Sequence, residues 1–155
     1  MEITKQISVF LENKPGRLAQ VLSALASERV NLRALAVMEK QERGVLRLVA
    51  DDPAGAARVL KKLGTSYTEV EVLLVELKNH PGSLARVCER LGAEHLNIDY
   101  AYCSAGSPNG KTLGVLKVPN LKKAMRVLEE NFNGAARRRP EQRPLRDRHS
   151  YQLVR

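Results

Sequence analysis

The sequence predicts an α+β chain built from two tandem βαββαβ modules, each an antiparallel sheet with helices on one face. Three observations predict it: an internal repeat, a hydrophobic period that switches between two and 3.6 residues inside each copy, and proline and glycine at matching turns.

The repeat appears when the chain is shifted by 66 positions. Val9 then meets Val75, Leu11 meets Leu77, Asn13 meets Asn79, and Pro15-Gly16 meets Pro81-Gly82. Leu18-Ala19 meets Leu84-Ala85, Val21 meets Val87, Leu25 meets Leu91, and Asn31 meets Asn97. After Gly44 and Gly110 the shift becomes 68, and Arg58-Val59-Leu60 meets Arg126-Val127-Leu128. One two-residue insertion in a turn accounts for the change.

Each element follows from its residues. Ile7, Val9 and Leu11 alternate, as do Leu73, Val75 and Leu77, which is the period of a half-buried strand. Pro15 or Pro81 then starts a helix, because proline's missing N–H costs nothing in the first turn. Leu18, Val21, Leu22 and Leu25 recur at helical spacing, and so do Leu84, Val87, Cys88 and Leu91. A strand follows (30–38; 96–104), then a polar turn around Gly44 or Gly106–Gly110, then a third strand (45–50; 112–118). A second helix follows Pro53 or Pro119, with Asp51-Asp52 read as its cap. Ser66–Lys78 is long enough to hold the last strand of one module and the first of the next. The order βαββαβ is ferredoxin-like. It divides the chain into modules at 1–70 and 71–133, followed by an arginine-rich stretch at 134–155. Ser150–Val154 echoes Ser66–Val70, so residues 150–154 read either as the closing strand of the second module or as part of a disordered basic tail.

Charge and composition exclude several classes. No window approaches the roughly 18 apolar residues of a membrane helix, and the first residues contain no signal-peptide pattern. The two cysteines, Cys88 and Cys103, stand in no ligand spacing, so neither a disulfide framework nor a zinc site is expected, and a reducing cytoplasm fits. Of the formal charge of +9, residues 134–155 carry seven arginines against Glu141 and Asp147, which leaves the rest only mildly basic. His80, His95 and His149 form no catalytic motif, and no phosphate loop or dinucleotide glycine pattern occurs, so neither an enzyme nor a cofactor is expected.

Two copies of Asn-x-Pro-Gly-x-Leu, each at a strand-to-helix turn with an Asn further on, resemble the ACT domain. The motifs stand here as Asn13-Lys14-Pro15-Gly16-Arg17-Leu18 with Asn31-Leu32, and Asn79-His80-Pro81-Gly82-Ser83-Leu84 with Asn97-Ile98. The resemblance is closest to stand-alone pairs of such modules. It implies a regulatory protein that binds a free amino acid or similar small zwitterion at this turn, near a contact between modules. It also implies that any target enzyme or regulator is a separate protein. The chemistry is suitable. A helix N-terminus offers N–H groups and positive potential to a carboxylate, and an asparagine offers a carbonyl to an ammonium. Leu11, just before the turn, and Tyr100 and Tyr102, on one face of the following strand, complete the candidate site. Each has a plainer reading: the prolines as helix starters, the asparagines as turn residues, the tyrosines as core or interface packing. Unpaired strand edges predict a homodimer. Nucleic-acid binding is the alternative, since a basic ferredoxin-like chain also describes an RNA-recognition module, although only Phe10 of the two phenylalanines falls in a predicted strand.

Overall fold

A computed structural model describes residues 1–40, 43–104 and 110–134. The elements are β1 (Glu2–Glu12), α1 (Arg17–Ser27), β2 (Leu32–Lys40), β3 (Arg43–Ala50), α2 (Pro53–Lys62), β4 (Tyr67–Lys78), α3 (Ser83–Ala93), β5 (Tyr100–Cys103), β6 (Lys111–Lys117) and α4 (Leu121–Gly134). The order matches the predicted duplication, and β4 joins the two modules as one uninterrupted strand. The strand predicted over 96–104 shortens to the four residues of β5. The closing strand expected at 150–154 lies outside the described residues.

All six strands form one antiparallel sheet in the order β2-β3-β1-β4-β6-β5. Its centre is the β1–β4 pair, and the repeat makes that pair self-symmetric. A 66-residue shift carries Ser8↔Thr68 onto Leu74↔Glu2 and leaves Lys5↔Glu71 in place. The pseudo-two-fold axis therefore passes through Lys5 and Glu71. Tyr67–Val70 closes the first module against Gln6–Val9, and Glu2–Lys5 closes the second against Glu71–Leu74. The slot in which a fourth strand of the second module would pair is thus already taken by the start of β1.

Strand alternation then builds three cores. Odd-numbered residues of β1 and β4 face the helices. Ile7, Val9 and Leu11 pack with Val21, Leu25, Val59 and Leu60 under α1 and α2. Leu73, Val75 and Leu77 pack with Val87, Leu91 and Leu128 under α3 and α4, with Ile3 against them. Each such side chain, fully buried, contributes about 1.5–3 kcal/mol. Capping fixes where the second helices begin. The Gly55 N–H donates to Asp52 Oδ1 (2.9 Å), and the Lys123 N–H to Asn120 Oδ1 (2.9 Å).

The third core lies on the other face. The sheet coils so strongly that β2 approaches β6, and Ala34 and Val49 of the first module pack with Val72, Leu74 and Val115 of the second. The two bare faces cover each other, with helices outside. The repeat mismatches where they meet. Ala34 and Ala36 correspond to Tyr100 and Tyr102, while Gln6 and Arg47 correspond to Val72 and Val115. Small residues of the first module thus meet valines of the second, and tyrosines of the second meet Gln6 and Arg47. Gln6 is 0% exposed. Its Nε2 donates to the Tyr100 hydroxyl (2.9 Å) and to Ser8 Oγ (3.1 Å), and its Oε1 accepts from the Tyr102 hydroxyl (3.1 Å). The Arg47 guanidinium lies 3.6 Å over the Tyr100 ring.

Candidate functional site

The two predicted turns adopt one geometry. Gly16 has φ 84° and ψ −15°, and Gly82 has φ 83° and ψ −5°. Those angles, after a proline, belong to the third position of a type II turn. The closing bonds agree: the Arg17 N–H donates to the Lys14 carbonyl and the Ser83 N–H to the His80 carbonyl, both at 3.3 Å. The prolines therefore hold the turn and do not begin the helices, which start two residues later at Arg17 and Ser83. The glycines are needed for their positive φ. An added Cβ at Gly16 would meet nothing within 4 Å, so close approach to other protein atoms is not the reason for glycine there.

Neither helix has a side-chain cap. Apart from the Arg17 and Ser83 N–H groups, which close the turns, the first-turn N–H groups of α1 and α3 thus stand at the positive end of the helix dipole without a capping side chain. Each turn also carries an arginine, placed differently. In the first, Arg17 Nη1 donates to Gln20 Oε1 (2.7 Å), and its Nε is buried with no partner among the described residues. Lys14 is paired with Glu12 (2.9 Å). In the second, Arg86 Nη2 lies 3.3 Å from both Ser83 Oγ and His80 Nε2. His80 Nδ1 lies 3.0 Å from the Pro81 carbonyl and 3.1 Å from Ser83 Oγ. A proton on Nδ1 satisfies that carbonyl and leaves Nε2 to accept from Arg86.

The remaining predicted residues separate into three groups. Leu11, Leu18 and Leu32 belong to the first helix-side core, and Leu84 and Ile98 to the second. Asn13 and Asn79 are exposed on the turns, and the Asn79 N–H donates to the Gly110 carbonyl (2.8 Å). Asn31 and Asn97 stand at the far end of the sheet. The Asn31 N–H donates to Asp51 Oδ1 (3.0 Å), and Asn97 Nδ2 to Asp99 Oδ1 (3.2 Å). Glu12 and Lys40 both pair with Arg43, so the Asn13 turn sits at the finishing end of β2 and Asn31 at its beginning. At about 3.3 Å per residue the two are roughly 30 Å apart. One module does not bring them together. Tyr100 and Tyr102 face the inner core, as interface packing. The intrachain contact lies between the turns, each of which is eight residues from the axis at Lys5 and Glu71, about 26 Å along the strand.

A cavity of about 380 Å³, lined by Met1, Glu76, Leu77, Lys78, Lys111 and Glu129, lies beside the second turn at the end of β4. No signal in the sequence pointed to it. In the first module the Phe10 N–H reaches the Ser66 carbonyl (3.0 Å), whereas the paired register of β4 with the start of β1 runs from Glu71 to Leu74. Among the described residues no three His, Cys, Asp or Glu side chains gather as a metal site, and no helix is long and apolar enough to cross a membrane.

Comparison with known proteins agrees with this architecture. Residues 1–135 match the family described as ACT domain pair. Protein BT0572 from Bacteroides thetaiotaomicron superposes with a TM-score of 0.77 at 37% identity, over 84% of this chain and 89% of that one. The regulatory subunit of aspartate kinase from Thermus thermophilus, in its ligand-free form, gives 0.60 at 14% identity over 85% and 98%. Its counterpart from Thermus flavus gives 0.58 at 18% identity over 84% and 95%. At those identities the kinase subunits share the fold alone. No curated protein matches.

Proposed function

The chain belongs to the ACT domain pair family, and on that premise we propose that it is a regulatory protein that binds a free amino acid and acts through ligand-dependent contacts between modules or subunits. ACT domain pairs are regulatory rather than catalytic modules. One observation carries the reading: the same Pro-Gly type II turn, twice, delivers a helix N-terminus without a side-chain cap beside an arginine and an asparagine. A carboxylate is served by the helix N–H groups and by Arg17 or Arg86, and an ammonium by the side-chain carbonyl of Asn13 or Asn79. The two turns differ, Lys14-Arg17-Gln20 against His80-Ser83-Arg86, so they differ in ligand or occupancy.

The contact that completes a turn belongs to a second copy. Within the chain the modules meet through their bare faces, away from both turns, and Asn31 stands at the opposite end of its module from Asn13. A homodimer related by a two-fold axis brings opposite ends together. The aspartate kinase regulatory subunits that share this fold make an amino-acid-responsive enzyme one kind of target. The covered bare face also speaks against the nucleic-acid reading. The sheet surface on which a ferredoxin-like module would stack bases is occupied by Gln6, Tyr100 and Tyr102.

A thermal-shift screen of the twenty amino acids tests the function, since a ligand of the native state raises its melting temperature. At least one amino acid at millimolar concentration should do so, and Asn13→Ala or Asn79→Ala should weaken its binding by about 1–3 kcal/mol in calorimetry. No shift with any amino acid would defeat the reading; unchanged affinity in both variants would move the site off the turns.

A further inference from the structure

The chain has two cysteines, Cys88 on α3 and Cys103 on β5, and both are free thiols. Their equivalents in the repeat are Leu22 and Val37, so both thiols replace aliphatic residues in one module only. A third position changes with them. Gly114 of β6, opposite Cys103, stands where the first module has Leu46, opposite Val37. Two thiols and a missing side chain thus take three places that are branched and apolar in the sister module.

The fold brings the two thiols into one layer. Directly opposed residues share a face of the sheet. Ala101 opposes Leu116 of the second helix-side core, so Ala101 and Cys103 both face the helices. On α3, Leu84, Val87 and Leu91 point at that core. At about 100° per residue, Cys88 lies about 70° to one side of them and Glu94 about 50° to the other. Glu94 marks the flank beside α4: its carbonyl accepts from Lys123 Nζ (2.8 Å), and its carboxylate lies 3.6 Å from the same group. Since α4 packs on β4, the Cys88 flank overlies the outer strands β6 and β5. The levels agree too. Cys88 stands five residues beyond Ser83, about 7.5 Å along α3 from the second turn. Cys103 opposes Gly114, which opposes Val75, three residues before Lys78 and so about 10 Å from the same turn. Gly114 adds no side chain between them. The Cys103 thiol registers its neighbour, because burial and then Cys88 hold it above its ordinary pKa.

We propose that Cys88 and Cys103 form a reversible disulfide, a modification site confined to the second module and written by a low-molecular-weight disulfide, RSSR. Cys103, the exposed thiol, loses its proton and attacks one sulfur of RSSR. A mixed disulfide forms on Cys103, and RS⁻ leaves with the electron pair of the broken S–S bond. Cys88 then loses its proton and attacks the Cys103 sulfur, expelling the second RS⁻. The two released protons give two RSH, so the chain loses two protons and two electrons and the reagent gains both. β5, four residues long at an outer edge, is the element that shifts to meet α3. α3 begins at the second turn, and β5 carries Tyr100 and Tyr102 into the contact between modules. The bond therefore ties that turn to that contact, and the first module, with Leu22 and Val37, has no counterpart. The site stands apart from the amino-acid reading, and none of its readouts needs a ligand.

Equilibration of the reduced chain with glutathione redox buffers tests it. Both thiols should disappear together in a single chain, with a mass loss of two hydrogens and one linked pair of peptides carrying Cys88 and Cys103, all reversed by dithiothreitol. The effective concentration of one thiol at the other should be at least about tenfold higher in the folded chain than in urea. Cys88→Ser and Cys103→Ser should each retain one glutathione instead. In the oxidised chain, amide exchange should slow by about tenfold across residues 84–103 and stay unchanged across 18–37. Equal effective concentrations folded and unfolded, a parent chain carrying two glutathiones, oxidation only to disulfide-linked pairs of chains, or equal slowing in both modules would overturn the proposal.

Discussion

Replacing Gln6 by Leu isolates what the polar cluster between the modules contributes. Gln6 is fully buried and joins three hydroxyls, accepting from Tyr102 and donating to Tyr100 and Ser8. Leucine is close in volume, so cavity formation is a small term. The loss is in pairing. The Tyr102 hydroxyl, which burial and then Tyr100 hold above its ordinary pKa, is left without an acceptor. Such a group costs about 1–3 kcal/mol. The Tyr100 oxygen loses a donor while its ring keeps Arg47, which adds less. Allowing about 1 kcal/mol in favour of the apolar replacement, the net cost is about 1–3 kcal/mol, or roughly 3–9 °C in Tm for a chain of this size. Urea unfolding at pH 7 measures it, with tyrosine fluorescence as one probe because the chain has no tryptophan. Removing both sides of each bond should nearly restore stability. Gln6→Leu combined with Tyr100→Phe and Tyr102→Phe is expected within about 1 kcal/mol of the parent. A single variant costing under about 0.5 kcal/mol, or a triple variant less stable than Gln6→Leu alone, would refute the assignment of this cluster as a mutually dependent network.

Three further outcomes are expected. Gly16→Ala and Gly82→Ala should each cost about 1–2 kcal/mol through their positive φ, while Gly92→Ala, inside α3 with open space around it, should stabilise by up to about 1 kcal/mol; parallel melts decide. Removing Met1–Thr4 should destabilise the second module by about 2–4 kcal/mol, because Val72–Leu74 lose their partner strand and the core loses Ile3, whereas removing residues 135–155 should leave Tm nearly unchanged, since Glu2–Lys5 already fill the slot. Tyr102's folded pKa lies above its unfolded one, so its contribution is complete below about pH 10 and is lost as pH rises towards the folded value; Tyr102→Phe should lessen the fall in stability between roughly pH 9.5 and 11.

The fold was legible because its instructions are local and given twice. Alternation in Ile7–Leu11 and Leu73–Leu77, helical spacing in Leu18–Leu25 and Leu84–Leu91, and Pro-Gly before each helix all act within a dozen residues. The long reach of β4 was legible from the length of Ser66–Lys78. What was not legible depends on pairing between distant segments. That Glu2–Lys5 closes the second module follows from the β1–β4 register, and no local pattern sets that register. The same holds for the bare-face contact, where Gln6 reaches across 94 positions to Tyr100.

The candidate site divides along the same line. The turn itself, with its glycine at positive φ and its helix start, is a property of four or five successive residues, and the sequence displays it. Whether Asn31 joins Asn13 depends on which end of a strand each occupies, and there spacing along the chain misleads: the helix between them returns the chain to the opposite end of the sheet. A finer signal was nevertheless present in the mismatches between the copies. Equivalent positions in two equivalent modules face the same local demands, so a difference in kind points to an unlike neighbour. Ala34 and Ala36 against Tyr100 and Tyr102, with Gln6 and Arg47 against Val72 and Val115, mark the face where the modules touch each other. Leu35, Val37 and Met38 against Ala101, Cys103 and Ser104 form a second apolar mismatch, and it stays 36% to 53% exposed. The same comparison of the copies thus separates a mismatch answered inside the chain from one left at an outer edge of the sheet.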